Sequence, residues 1–417
     1  MSSLLPTTLS HRPHLHDPDP ARRGVSGAQA VDREARGGPL KKRLLVVNVN
    51  WVGDVLFSTP FLQALRENFP DRFIACLVVP RCREVLEGNP HINELLIYDE
   101  KGIHQSPLGK LRLIHFLRKQ KYDRVYLLHR SLTRRLLVFL AGIPERIGYA
   151  IKWNGLLLTE KIPPPSSPLH KVDYFLGLLP PEDRGKNRDY TLTVEEKTDA
   201  RVTTLLEGRG IRPAERFIVF CPAGNWDQKR WPAERFSALG EALIRRYHQK
   251  IVITGEARDL PLGNKIAGGM QEKPVLLCGE TSLKELAALL KRASFVVSND
   301  TGAMHVAQSQ GTKVIALFGP THPDLTGPSG TRPKVILRKE VGCNDDPPCT
   351  YVHCPDVICM KAIQVEDVLD AIQKGSRADS HHHPFQYWGR LPDSTGGKCC
   401  SESFPSGKTE SLGGDGG

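Results

Sequence analysis

No apolar run in this 417-residue chain approaches the ~20 residues of a membrane-spanning helix. Residues 1–42 carry Pro, His, Arg and Gly but no apolar core of a secretory signal, so the expected location is cytoplasmic. The G-x-G-x-x-G fingerprint is missing where the first strand turns into its helix, which argues against a nicotinamide or flavin cofactor. Aromatic residues make up 7% of the chain and form no stacking platform, and no helix-turn-helix or RNA-binding motif is present. A nucleic-acid partner is therefore not expected, despite the basic charge. The ten cysteines include no C-x₂-C pair. The crowded set Cys343, Cys349, Cys354 and Cys359, with His353 among them, thus lacks the spacing of a common zinc knuckle and is expected to pack a loop in reduced form.

What is present is an ordinary globular composition, 40% hydrophobic and 25% charged, long enough for two domains. Lys and Arg exceed Asp and Glu by 57 to 46, a surplus that favours anionic partners. Two end segments, 1–42 and 376–417, are rich in Gly, Pro, Ser and charge and too poor in apolar side chains to offset the entropy of ordering them. The triplet His381-His382-His383 and the pair Cys399-Cys400 are read as parts of an unstructured tail.

Between these ends strand-like runs alternate with helical periodicity. Runs at 44–49, 73–79, 95–98 and 125–128 predict a first α/β unit with a parallel sheet. A Pro-rich charged region over 162–188 interrupts the rhythm. It resumes with runs at 217–221, 250–254, 275–277, 295–297 and 314–318 and an amphipathic helix over 282–291. The fold class is therefore α/β, with two doubly wound lobes, 43–185 and 186–375, facing a cleft lined by strand-end loops.

Those loops hold the chemistry. Ser298-Asn299-Asp300-Thr301-Gly302-Ala303-Met304-His305 follows an apolar run and opens a helix. The helix N-terminus, Gly302 for close approach and donors from Thr301 and His305 suit a phosphate; the same residues would also serve as simple helix caps. Lys229 and Arg230 lie in a second loop beside Gly224 and can neutralise a diphosphate. Asp259, after Gly255, places an acid where ribose hydroxyls could be held. The segment 319–323 closes the wall. In the first lobe, Asn50-Trp51-Val52-Gly53-Asp54 puts a carboxylate at a strand end, either as a proton acceptor facing the cleft or as a helix cap.

Taken together, Gly53-Asp54-Val55 with Thr59-Pro60, Lys229-Arg230-Trp231-Pro232, Asn299-Asp300-Thr301-Gly302 with Met304-His305-Val306-Ala307, and Phe318-Gly319-Pro320-Thr321 resemble glycosyltransferase family 9. Its best-known members are the ADP-heptose:lipopolysaccharide heptosyltransferases, and the spread of motifs, over about 43–373, is most similar to the second heptosyltransferase of the core pathway. The resemblance implies a GT-B fold with the acceptor on the N-terminal lobe and the nucleotide sugar on the C-terminal one. It implies a catalytic base at Asp54, a phosphate-binding Lys229, a ribose-binding Asp259, and Asp300 facing the donor sugar. The Thr301 and Gly302 amides would face phosphate, His305 would complete that element, and the adenine would lie near Thr281 and Leu283.

Asp54 would then take the proton of an acceptor hydroxyl as that oxygen attacks the anomeric carbon, inverting its configuration. The only D-x-D match, Asp17-Pro18-Asp19, lies in the N-terminal segment, so no metal and no cofactor are expected, and leaving-group charge would fall to Lys229 and the helix terminus. Arg81, Arg130 and Arg134, with Arg83 and Arg135 nearby, are candidates for an acceptor bearing phosphates on a lipid, which implies a lipopolysaccharide core partner and peripheral contact with the inner membrane. Other readings are a family 9 transferase with a different sugar or acceptor, and a nucleotide-sugar epimerase of similar fold, which would need no acceptor.

Overall fold

The computed structural model describes residues 42–150, 152–343, 349 and 354–377, the side chains of 152–154 and 375–377 excepted. Asp17-Pro18-Asp19, His353, His381-His382-His383 and Cys399-Cys400 lie outside the described residues.

The first six strands are β1 (Arg43–Val47), β2 (Phe73–Val78), β3 (Glu94–Ile97), β4 (Arg124–Leu127), β5 (Glu145–Tyr149) and β6 (Glu160–Ile162). They form one parallel sheet in the order β3-β2-β1-β4-β5-β6, with Leu44 between Ile74 and Arg124 in register. The central strand must be apolar on both faces, and Leu44, Leu45 and Val46 are fully buried. Leu44 and Val46 pack under the helices Val52–Phe57, Thr59–Asn68 and Lys171–Leu176. Leu45 and Val47 pack under Pro107–Gln120 and Leu132–Leu140 on the other face.

The second six are β7 (Phe217–Cys221), β8 (Lys250–Ile253), β9 (Val275–Leu276), β10 (Val296–Asn299), β11 (Val314–Phe318) and β12 (Lys334–Arg338). Their order, β12-β11-β10-β7-β8-β9, is the first sheet's topology repeated, again all parallel. The expected helix over 282–291 is present as Leu283–Arg292. Ser282 accepts from the Glu285 N–H and the Glu285 carboxylate reaches back, a capping box that fixes its start. The C-terminal helix Val365–Arg377 covers the second sheet with Val368, Ala371 and Ile372.

All nine expected strands are found. The sequence reading missed β5, β6 and β12, of which β6 and β12 are sheet edges, one of them three residues long with two charges. β6 carries little of the apolar signal that marks a sheet's centre, whereas β12 does carry one in Val335, Ile336 and Leu337.

The lobes are not separate bodies. One apolar cluster runs from Val55, Phe57 and Phe61 through Tyr190 to Met304, Val306 and Ala307 of the second lobe. The crossing segment is pinned by Thr59 Oγ1, which accepts from the Thr191 N–H at 2.9 Å, so the Thr59-Pro60 pair is both a helix start and an anchor.

Candidate functional site

In an order such as β3-β2-β1-β4, the chain leaves adjacent central strands in opposite directions, and the loops after β1 and β4, or after β7 and β10, part to leave a crevice. In the second lobe that crevice holds Lys229 and Asp300. Lys229, at the end of the short helix Asp227–Lys229, sets its Nζ 2.6 Å from Asp300 Oδ2 and over the Trp226 ring. Thr321, from the loop after β11, donates to the same oxygen at 2.7 Å. Both partners of this ion pair are mostly buried, which orients a cation at the N-terminal end of the helix Gly302–Ser309.

That helix end is open. Thr301 occupies the N-cap position in extended conformation and makes no side-chain capping bond, while the Asp300 carboxylate is engaged by Lys229 and Thr321. Neither residue acts as a side-chain cap, so at the positive end of the dipole the Gly302 and Ala303 N–H groups have no capping side chain, while the Met304 N–H bonds the Thr301 carbonyl at 3.2 Å. A Cβ added at Gly302 would meet Val52 at only 3.8 Å, an ordinary contact.

Sequence reasoning assigned no role to Asn299, which is fully buried. Its amide donates to the Pro222 and Ala223 carbonyls at 2.7 and 3.4 Å, and its oxygen accepts from the Trp231 N–H at 3.3 Å. It therefore ties the loop that carries Lys229 to the strand end that carries Asp300. Gly319 is likewise structural: a Cβ there would lie 2.5 Å from Met360 Sδ. The Cys359-Met360 pair packs under the loop that positions Thr321, and burial pushes the Cys359 thiol up to about 11, which keeps it protonated. Among the described residues no group of three or more metal-ligating side chains comes together.

In the first lobe Asp54 lies in the first turn of the helix Val52–Phe57, whose N-cap, Trp51, makes no side-chain capping bond. The carboxylate is half-buried; burial raises its pKa above the usual carboxylate value, and Lys171 opposes that only in part. A carboxylate with a raised pKa is a better proton acceptor than an exposed one, and Lys171 gave no hint of its proximity in sequence, being 117 positions away.

The two helix starts meet across the cleft. A Cβ on Gly53 would lie 3.5 Å from the His305 ring, and Gly302 faces Val52. Phe57 packs edge-on against His305 at 4.5 Å and His170 at 5.4 Å. His305 is buried and its Nδ1 has no partner; burial pushes its pKa down to about 3, so the ring is neutral at any working pH. His170 accepts from the Val172 N–H through Nδ1, so its Nε2 carries the proton, donated to the Gly327 carbonyl of the second lobe at 3.0 Å.

The remaining sequence candidates fall as follows. Asp259 is buried and accepts from the Glu256 N–H at 2.9 Å in a capping box, with its other oxygen 4.0 Å from Arg230. Thr281 and Leu283 are half-buried and flank the N-cap Ser282, beside Lys284, whose N–H donates to Glu84 of the first lobe and whose Nζ donates to the Glu87 and Thr193 carbonyls. Arg81 is exposed, donates to the Asn50 carbonyl at 2.6 Å and lies over the Trp51 ring. Arg130 is exposed and donates to the Tyr174 hydroxyl at 2.9 Å. Arg134 differs from both: it is buried, and its guanidinium bonds the Asn48 carbonyl, Asn50 Oδ1 and Glu100. Its place in the fold is to hold the loop ahead of Asp54.

Residues 110–349 match the model of glycosyltransferase family 9 (heptosyltransferase). The chain is 30% identical over 311 residues to lipopolysaccharide heptosyltransferase 2 of Escherichia coli, covering 70% of this chain and 87% of that one. It superposes on the glycosyltransferase family 9 crystal structure from Veillonella parvula with a TM-score of 0.71 at 26% identity, over 82% and 99% of the two chains. The fold also matches E. coli ADP-heptose lps heptosyltransferase II, with a TM-score of 0.66 at 24% identity over 81% of this chain and 100% of that one. The chain therefore belongs to glycosyltransferase family 9 and is a glycosyltransferase with two facing parallel-sheet lobes.

Proposed function

We propose that this glycosyltransferase moves a heptose from ADP-heptose to the inner core of lipopolysaccharide, with inversion at the anomeric carbon and without a metal ion. The observation that carries the reading is the confrontation of two helix starts across one cleft. One is open and flanked by a buried cation, Lys229; the other bears a half-buried carboxylate whose pKa burial raises, Asp54. The names borne by the relatives supply the sugar and the acceptor.

In this reading the nucleoside diphosphate sits on the lobe 186–375. Lys229 turns from Asp300 to the phosphates, the amides of Thr301 and Gly302 complete the anion site, and Asp300, relieved of the ammonium, faces the sugar. The Asp259 oxygen that faces Arg230 holds the ribose, and Thr281 and Leu283 border the adenine. His305, neutral and with an unpartnered Nδ1, supplies a polar atom beside the donor. The acceptor lies on the lobe 43–185 against Arg81 and Arg130, with Arg134 positioning Asn50 and hence the approach to Asp54. Asp54 takes the proton of the attacking hydroxyl, and ADP leaves from the opposite face. The enzyme works in the cytoplasm, in peripheral contact with the membrane that carries its acceptor.

The test is transfer from a panel of nucleotide sugars to heptose-deficient lipopolysaccharide core, read by mass spectrometry with and without chelator. The expected result is one added heptose from ADP-heptose, unaffected by EDTA. Loss of activity on EDTA, restored by magnesium or manganese, would end the metal-free reading. Conversion of the nucleotide sugar when no acceptor is present would favour an epimerase instead.

A further inference from the structure

The helix Leu132–Leu140 is apolar on two faces, one of them packed on the sheet through Leu137 and Val138. Its cations Arg134 and Arg135 are 3% and 1% exposed, whereas Leu132, Leu136 and Phe139 are 53%, 44% and 44% exposed. Positions 132, 136 and 139 repeat at i, i+4 and i+7, so a second apolar stripe, besides the one that Leu137 and Val138 bury, faces outward. Beside Leu137 and Val138, Arg134 is drawn in by Asn48, Asn50 and Glu100, and Arg135 by the Tyr149 carbonyl.

The neighbouring helix Pro107–Gln120 extends the same surface. It packs beside Leu132–Leu140 on one sheet face through Leu113 and Leu117, and it presents Leu108 and Leu111, both 58% exposed, together with Phe116. Lys110, Arg112 and Lys119 stand among them, and among the described residues none of the three is in an ion pair. From 101 to 144 the chain has ten Lys and Arg and a single acid, Asp123, so this stretch holds most of the protein's net positive charge.

We propose that these two helices dock the first lobe onto an anionic lipid bilayer. Contiguous exposed apolar patches mark interaction sites. Leu and Phe at this depth on surface-lying helices, ringed by Lys and Arg, fit the boundary between headgroups and acyl chains. A protein interface would call for a centre depleted of lysine; here Lys110, Arg112 and Lys119 stand among the exposed leucines and phenylalanines. The surface is not the one expected from sequence. Of the five arginines grouped there, Arg134 and Arg135 point into the protein, and the side chains that meet the bilayer lie on the opposite face of their helix. The inference does not depend on which sugar is transferred, and its test uses neither donor nor acceptor.

The experiment is co-sedimentation of the full chain with vesicles of phosphatidylcholine alone and with phosphatidylcholine containing phosphatidylglycerol, at low and high salt. Two variants accompany it, Leu111→Ser/Leu136→Ser/Phe139→Ser and Lys110→Gln/Arg112→Gln/Lys119→Gln. The parent should bind the anionic vesicles, more weakly at high salt, and each variant should lose roughly tenfold or more of that binding with unchanged melting. Should the apolar variant fail to fold, the charge variant decides alone. The proposal is overturned by a parent that does not bind anionic vesicles, by variants that bind as the parent does, or by an apolar variant that instead converts a dimer to a monomer.

Discussion

The two lobes share a strand order and differ in how they treat polar groups at the strand ends. The second lobe buries them and bonds them to one another. Lys229 and Thr321 both bond the Asp300 carboxylate, and Asn299 ties the loop that carries Lys229 to the same strand end. The first lobe buries Asn48 and Arg134 in the same way but leaves Trp51, Arg81 and Arg130 in solvent and Asp54 half-buried. A small charged ligand needs donors fixed before it arrives, because ordering them on binding would cost affinity. A large acceptor brings its own surface and tolerates exposed, adjustable contacts. One topology thus serves a preorganised donor site and an open acceptor side, and the difference lies wholly in the loops.

The largest effect that would sharpen this contrast is on turnover. Asp54→Asn keeps size but removes the proton acceptor, and should reduce kcat by ~10²–10⁴, the range for loss of a general base. Its stability should move the other way. Burial raises the Asp54 pKa, so the folded protein holds that proton more tightly than the unfolded chain, and stability falls as pH rises through the folded pKa. The asparagine variant escapes that cost and should melt at or above the parent temperature at neutral pH. A variant that transfers sugar at near-parent rate would remove Asp54 from the mechanism.

A smaller effect is expected from Asn299→Ala, which deletes three bonds at a fully buried position and leaves the Pro222 carbonyl and the Trp231 N–H without partners. A loss of about 1–3 kcal/mol in denaturant unfolding, together with weaker ADP binding, is the expected outcome. A weaker nucleotide with undiminished stability would mean that Asn299 touches the ligand rather than the loop.

A third effect is on the acid side. His305 and His129 are each pushed down to about 3 by burial, and His170 is lowered. Their stability contribution is complete above the ordinary histidine value of 6.5 and is lost as pH falls below it, because the unfolded chain then takes up protons that the folded protein refuses. Melting temperature should decline from pH 7 to 5 and decline less in His305→Gln. An unchanged slope would place the uptake elsewhere.

The contrast between the lobes also explains what the sequence revealed. Central strands such as Val314–Phe318 are buried on both faces and read as continuous apolar runs, whereas Glu160–Ile162 at a sheet edge does not. Lys229, Asp300 and Asp54 stand out as charges at strand ends. Asn299 lies in the same motif yet looks like any loop amide, because its work is done by buried bonds to residues some 70 positions away. Arg134 and Arg135 read as a basic patch, and only packing shows that they face inward. The proximity of Lys171 to Asp54 follows from the fold alone.

The central claim is a division of labour, with donor affinity in the second lobe and proton transfer in the first. Calorimetric titration of ADP into Lys229→Ala and Asp54→Asn, side by side with the parent, tests it most directly. Lys229→Ala should weaken ADP by about 1.5–3 kcal/mol, the range for a lost charge-assisted hydrogen bond, while Asp54→Asn binds as the parent does. Unchanged affinity in Lys229→Ala, or an equal loss in Asp54→Asn, would contradict it.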